Sequence, residues 1–395
     1  MARSIHSGAG VVLSLLLAAC GALPDSGLEL EATAESTGAL EQAYKHKDKH
    51  GDKHKDKDKH GDKNKNKDKH GDKHKDEDKH GGKHKAPDCD ESLELEGDLR
   101  THDPSLTRHG KKGDYYVFST GDPAVNGGTI QIRRSPNLRQ WSFAGTVFNA
   151  IPAWVREKVP GVENLWAPEI YEHRGTYYLY YSGSTFGSNR SVIGLATNKT
   201  LDPKSPQYEW VDQGLVFEST PANDFNAIDP AVVEDSTGTP WLAFGSFWSG
   251  IRMVQLEWPS GKVVANPGEP LRLADRFVPP NAIEAPYIVE RKGWYYLFVS
   301  LDFCCRGTGS TYKIAVGRSR NATGPFFDRL GTPLQHGGGT VILSERDNMF
   351  GPGGQSVFED YLVYHWYDAN ANGDFRLGIR RIDWESGWPS VAELD

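Results

Sequence analysis

The 395-residue chain has only four cysteines and three methionines, and beyond its N-terminal leader no apolar run long enough to cross a bilayer. So few cysteines exclude a disulfide-built scaffold, and the absence of any Cys-x-x-Cys or Cys/His cluster gives no zinc signature. Outside one short arm, basic residues are outnumbered by acidic ones. Lys45 to Lys85 carries 16 lysines against nine aspartates and one glutamate, a net +6, so the rest of a chain of formal charge −8 sums to −14. An acidic body of that kind is not a nucleic-acid surface and suits a neutral substrate.

The leader is legible. Arg3, the apolar run Val11 to Leu17 and the small residues after it form an export signal. Leu17-Ala18-Ala19-Cys20 resembles a lipobox, which implies an exported bacterial lipoprotein held at the membrane through a lipidated Cys20 and facing periplasm or exterior. Cleavage as an ordinary signal, with secretion to the medium, is the alternative. Residues 1–20 are thus assigned to the signal, 21–85 to a disordered charged linker and 86–395 to one folded body. The linker repeats a ten-residue His/Lys/Asp unit from His50, His60 and His70 with no apolar residue, so nothing offsets the entropy of ordering it. Eight of the 14 histidines lie there. Interleaved lysines repel cations, which favours a spacer over a metal-binding tract.

Glycine, tyrosine and tryptophan are abundant in the body, and they recur in order. A Pro-containing opening and a short apolar strand lead to a turn and an aromatic strand five times. The openings are marked by Pro104, Pro168, Pro230, Pro286 and Pro352, spaced 64, 62, 56 and 66 residues apart. Strand-rich units at such a period read as an all-β, five-bladed β-propeller. First strands of propeller blades line the axis, so Asp103, Asp229 and Glu284, each at a blade opening, are expected to converge. Converging carboxylates with no nucleophile or metal-cage motif suit glycosidic bond cleavage, in which one acid protonates the leaving oxygen and another activates water. Glu169 follows its proline and is expected to play a structural part.

Longer motifs make the reading specific. His102-Asp103-Pro104-Ser105, Asn164 to Glu169, Ser184 to Asn189, Asn226 to Pro230, Gly245 to Gly250, Ile283 to Pro286 and Asp302 to Gly307 together resemble the arabinanases of glycoside hydrolase family 43. The likeness implies a five-bladed propeller that cleaves internal α-1,5-linked arabinofuranosyl chains of arabinan or arabino-oligosaccharides with inversion. It implies Asp103 as general base, Glu284 as general acid and Asp229 as the carboxylate that orients the acid and tunes its pKa. His102, Trp166, Gly187, Asn226, Ala227, Ile228, Ser246, Phe247 and Trp248 match segments lining the sugar cleft, although each also suits blade packing. His365 matches a histidine near a water-coordinated metal, usually calcium, on the axis. One departure stands out: Gly354-Gln355 occupies a place where many relatives carry His-Asn. Cys304 and Cys305 are adjacent and open to a vicinal disulfide, or to pairing of one of them with Cys89. A monomer is expected. An exo-acting arabinofuranosidase or β-xylosidase on the same scaffold, and a surface arabinan-binding lipoprotein without activity, are the competing functions.

Overall fold

Side chains alternate sides along a β-strand, so a strand that is apolar on both sides must be covered on both. Thr176–Gly183 is such a strand: Tyr177, Leu179 and Tyr181 enter one buried cluster, and Tyr178 and Tyr180 the next. The computed structural model describes residues 93–391, and this two-sided burial recurs around the whole body. The result is the expected propeller, with five antiparallel blades. Their innermost strands are Ser105–Arg108, Leu165–His173, Ala231–Glu234, Ile283–Arg291 and Met349–Phe358, and each touches the innermost strand of the next blade, the fifth returning to the first. Five buried clusters fill the five clefts between neighbouring blades. Among the described residues, no helix is long and apolar enough to cross a membrane.

The ring is sealed by a strap instead of a strand exchanged between blades. Leu377 N–H donates to Leu99 O at 2.8 Å and Leu93 N–H to Ile379 O at 3.3 Å, which fastens residues 93–99 to blade V. Within the strap, Glu96–Gly97 runs parallel to Gln140–Trp141 at the outer edge of blade I. Leu93, Leu95 and Leu99 pack on the cluster shared by the two blades.

At the axis the backbone repeats a strained step. Asp103, Ala167, Asp229 and Ala285 each adopt a left-handed conformation, with φ of 50°, 39°, 57° and 52°, and each precedes a proline. Non-glycine residues rarely take this conformation, and here it re-aims the chain just where the inner strand begins. In the longer inner strands the pairing register shifts at the same step. The fifth opening corrects the expectation from proline spacing. Gly351, before Pro352, and Gly354, before Gln355, are both left-handed, with φ of 52° and 56°, but the axis is lined by Gly354 and Gln355, so the slot lies beyond Pro352.

Candidate active site

The five steps surround one axial cavity, lined by Asp103, Ala167, Asp229, Ala285 and Gly354 with the residues that follow them. Asp103 and Asp229 hold equivalent positions. Glu284 does not, because it stands one residue before its left-handed step, on a part of the strand paired with Ser300 and bridged to Ser246. Three acids therefore reach one place from two kinds of backbone position.

Their environments differ. Asp103 Oδ2 is bonded to His102 Nδ1 at 2.8 Å and accepts from Thr120 Oγ1 at 2.6 Å, while its own N–H donates to His365 Nδ1 at 3.1 Å. Burial alone would raise its pKa. The charge and hydrogen bond of His102, with the contacts of His365, outweigh burial and hold the carboxyl far below the usual carboxylate range. Glu284 is buried, accepting from Ser246 Oγ at 2.5 Å and from the Tyr312 hydroxyl. Burial pushes its pKa up to about 7; the Ser246 hydrogen bond opposes this and the Asp103 charge adds to it. Asp229 is raised well above its ordinary value by burial first, then by Glu284 and Asp103. Its Oδ2 accepts the Ala285 N–H at 3.0 Å, so it grips the peptide next to the Glu284 carboxyl.

The expected cleft residues fall into two groups. Trp166 pairs with the exposed ring of Phe186 at 5.1 Å on one flank, and Phe247 pairs with Phe303 at 5.9 Å elsewhere on the mouth. Trp248 is 39% exposed, Gly187 lies in an exposed turn with open space where a side chain would project, and His102 lies at the carboxylates. The second group faces inward. Ala227 has no exposed surface and packs between blades II and III, its N–H donating to Ser219 Oγ. Ile228 is buried, and Asn226 Oδ1 accepts from Ser191. For these three the sequence motif marks the support of Asp229 more than a surface open to sugar. Ser246 touches the acid. Glu169 sits buried on the axis, accepts from Ser105 Oγ at 2.8 Å and is pushed up to about 8 by burial.

His365 has no exposed surface and stacks on His102 with ring centres 3.6 Å apart. Its Nε2 is buried without a protein partner. His102, Asp103 and His365 each offer a ligand atom, all within 4.8 Å of one another. An orphaned imidazole nitrogen fits a cation or the water around one. Gly354 closes the floor beside it, since a Cβ there would lie 2.4 Å from Asp103 Oδ1. Cys304 and Cys305 are joined as a vicinal disulfide at the same mouth, and Cys89 lies outside the described residues.

The profile described as "Glycosyl hydrolases family 43" matches residues 97–389, which takes in every blade and all three acids. The chain belongs to this family. It is a glycoside hydrolase. Extracellular endo-alpha-(1->5)-L-arabinanase 1 of Bacillus subtilis is 42% identical over 291 residues, covering 73% of this chain and 87% of that protein. The extracellular exo-alpha-(1->5)-L-arabinofuranosidase ArbA of Cellvibrio japonicus is 40% identical over 312 residues, covering 74% and 87%. The solved GH43 endo-arabinanase from Bacillus licheniformis is 43% identical, with a TM-score of 0.70 over 75% of this chain and 99% of that one.

Sequence reasoning missed Thr120, Tyr312 and Tyr367. All three are hydroxyls that touch a site residue from elsewhere in the ring. Tyr312 lies in the run Ser310 to Ile314, which is also similar to the family's arabinanases and is the one signal available for it.

Proposed function

We propose that the chain is an inverting endo-acting arabinanase that cleaves internal α-1,5-L-arabinofuranosyl linkages, with Asp103 as general base and Glu284 as general acid. The observation that carries this reading is the opposite tuning of two carboxyls at one site. Asp103 is held ionised, ready to take a proton from water, while burial keeps a proton on Glu284 for the leaving oxygen. Asp229 orients the acid through the Ala285 peptide. Asp103 raises Glu284 by its charge, and Asp229, itself raised by Glu284, shares that repulsion with the acid. Trp166, Phe186, Phe247, Phe303 and Trp248 offer apolar faces to the sugar rings.

Proton NMR of the first-formed anomer tests the mechanism: inversion is expected, and initial retention or a glycosyl adduct on Asp103 overturns it. Product profiling on linear arabinan tests endo action. Mixed oligomers are expected early, whereas release of arabinose alone favours the exo reading, for which the ArbA relative speaks.

Calcium is proposed at His365 Nε2, with water completing its coordination, where it would add positive charge beneath the acids. Ligation by Nε2 needs its lone pair, so on binding the ion the ring proton would move to Nδ1, toward Asp103 Oδ1 at 3.4 Å, and the bond that Nδ1 accepts from the Asp103 N–H would be given up. Export with anchoring through Cys20 is likewise proposed. Both the signal and the linker lie outside the described residues. Release of Cys20→Ser from a membrane fraction that retains the wild type is the expected result.

A further inference from the structure

A chain of hydrogen bonds leads outward from Asp103. Its Oδ2 is bonded to His102 Nδ1 at 2.8 Å, and His102 Nε2 to the Tyr367 hydroxyl at 2.8 Å. The Tyr367 hydroxyl in turn accepts the N–H of Cys305 at 2.8 Å. A peptide N–H can only donate, so the hydroxyl is the acceptor there, and it can still meet His102 Nε2 as donor or as acceptor. His102 is thus held at both ring nitrogens, Nδ1 by Asp103 and Nε2 by Tyr367.

The first donor in this chain is unusual. The N–H of Cys305 belongs to the peptide between Cys304 and Cys305, and their disulfide closes a small ring through that same peptide. Cys305 stands at φ of 65°, a conformation a non-glycine residue holds only when its surroundings enforce it. Its Sγ lies 4.0 Å from His102 Nε2.

We propose that Tyr367 is a positioning residue, held by the Cys304–Cys305 ring, which fixes the angle of His102 and so the aim of the Asp103 carboxylate, and that opening the disulfide slows catalysis through this relay. The proposal rests on Asp103 being the base. Reduction by a phosphine breaks the S–S bond: each sulfur gains a proton to become a thiol, and the phosphine is oxidised to its oxide with oxygen from water. The Cys305 peptide is then free to turn away from Tyr367.

The test treats the full chain with tris(2-carboxyethyl)phosphine, mapping thiols at Cys304 and Cys305 by peptide mass, and measures kcat and KM on linear arabinan. Reduction is expected to lower kcat by roughly ten- to a hundredfold, the scale of a misaimed catalytic group, with KM little changed. Tyr367→Phe is expected to give a similar fall, and phosphine to add nothing further to it. Unchanged kcat after reduction overturns the relay. So does equal slowing of wild type and Tyr367→Phe by phosphine, or a rise in KM alone, which would make the ring only part of the sugar cleft. Should Tyr367→Phe fail to fold, reduction of the wild type decides alone. Asp103→Ala separates the two readings: retained turnover removes Asp103 as base, whereas an inactive Asp103→Ala beside an unaffected reduced enzyme removes only the relay.

Discussion

Glu284 is served by two hydroxyls, Ser246 on one oxygen and Tyr312 on the other. Hydroxyls that donate to a carboxyl favour its ionised form, so both work against the burial that keeps the acid protonated. The sign follows for pH dependence. A general acid is lost as pH rises through its pKa, so kcat/KM should fall above about pH 7. Removing the Ser246 hydroxyl in Ser246→Ala should move that basic limb to higher pH even as the rate drops, and a shift to lower pH in the measured profile would contradict it. Glu284→Gln should slow arabinan cleavage by at least about 100-fold but spare activated aryl arabinofuranosides, which need no protonation, as comparative kinetics on the two substrates will read. Asp229 adds a stability effect. A carboxyl with a raised pKa stabilises the fold below its unfolded pKa and loses that contribution as pH rises. Asp229→Asn should therefore melt higher than wild type near pH 7, with a gain of about 0.5–2 kcal/mol, or roughly 2–4 °C per kcal/mol, that vanishes near pH 4. Thermal melts across that range check it. The acids themselves were legible because each sits within two residues of a recurring proline. Their hydroxyl partners were not, since a lone Thr120 or Tyr367 in the sequence carries no sign of what it will face across the ring.

At the scale of the strand, one backbone device does most of the arranging. A left-handed residue followed by proline breaks the pairing ladder without wasting a donor, because proline has no N–H to leave unpaired. The proline half of this device is visible in sequence, and it located four of five openings. In blade V glycine supplies the left-handed turn and Gln355 stands where proline would, so Pro352 drew the opening too early. The position of Glu284 escaped for a related reason. Periodicity places a residue on a strand but cannot show that the acid lies just before the step while Asp103 and Asp229 occupy it. Gly354→Ala tests how tightly the step is built. Its Cβ would meet both Asp103 Oδ1 and His365 Nδ1 in a conformation that disfavours any side chain. Stability should fall by more than about 1 kcal/mol and activity should drop with it, readable from denaturant melts and kcat. A neutral outcome would mean the floor beside the base is loose.

Across the whole molecule the five interblade clusters are alike in kind, and the sequence announced them through aromatic strands apolar on both sides. The strap did not announce itself. Residues 93–99 hold few strand formers, and their role depends on meeting blades I and V, which are far apart in the chain. This seam is also where the ring is weakest in covalent terms, because no blade is shared between the chain's two ends. It gives the propeller a mechanical polarity. A load drawn along residues 93–99 is borne by their bonds to blade V, and the same piece of chain leads directly into His102 and Asp103. Such a load would arrive at the seam and at Asp103 together, in the blade that carries neither Asp229 nor Glu284.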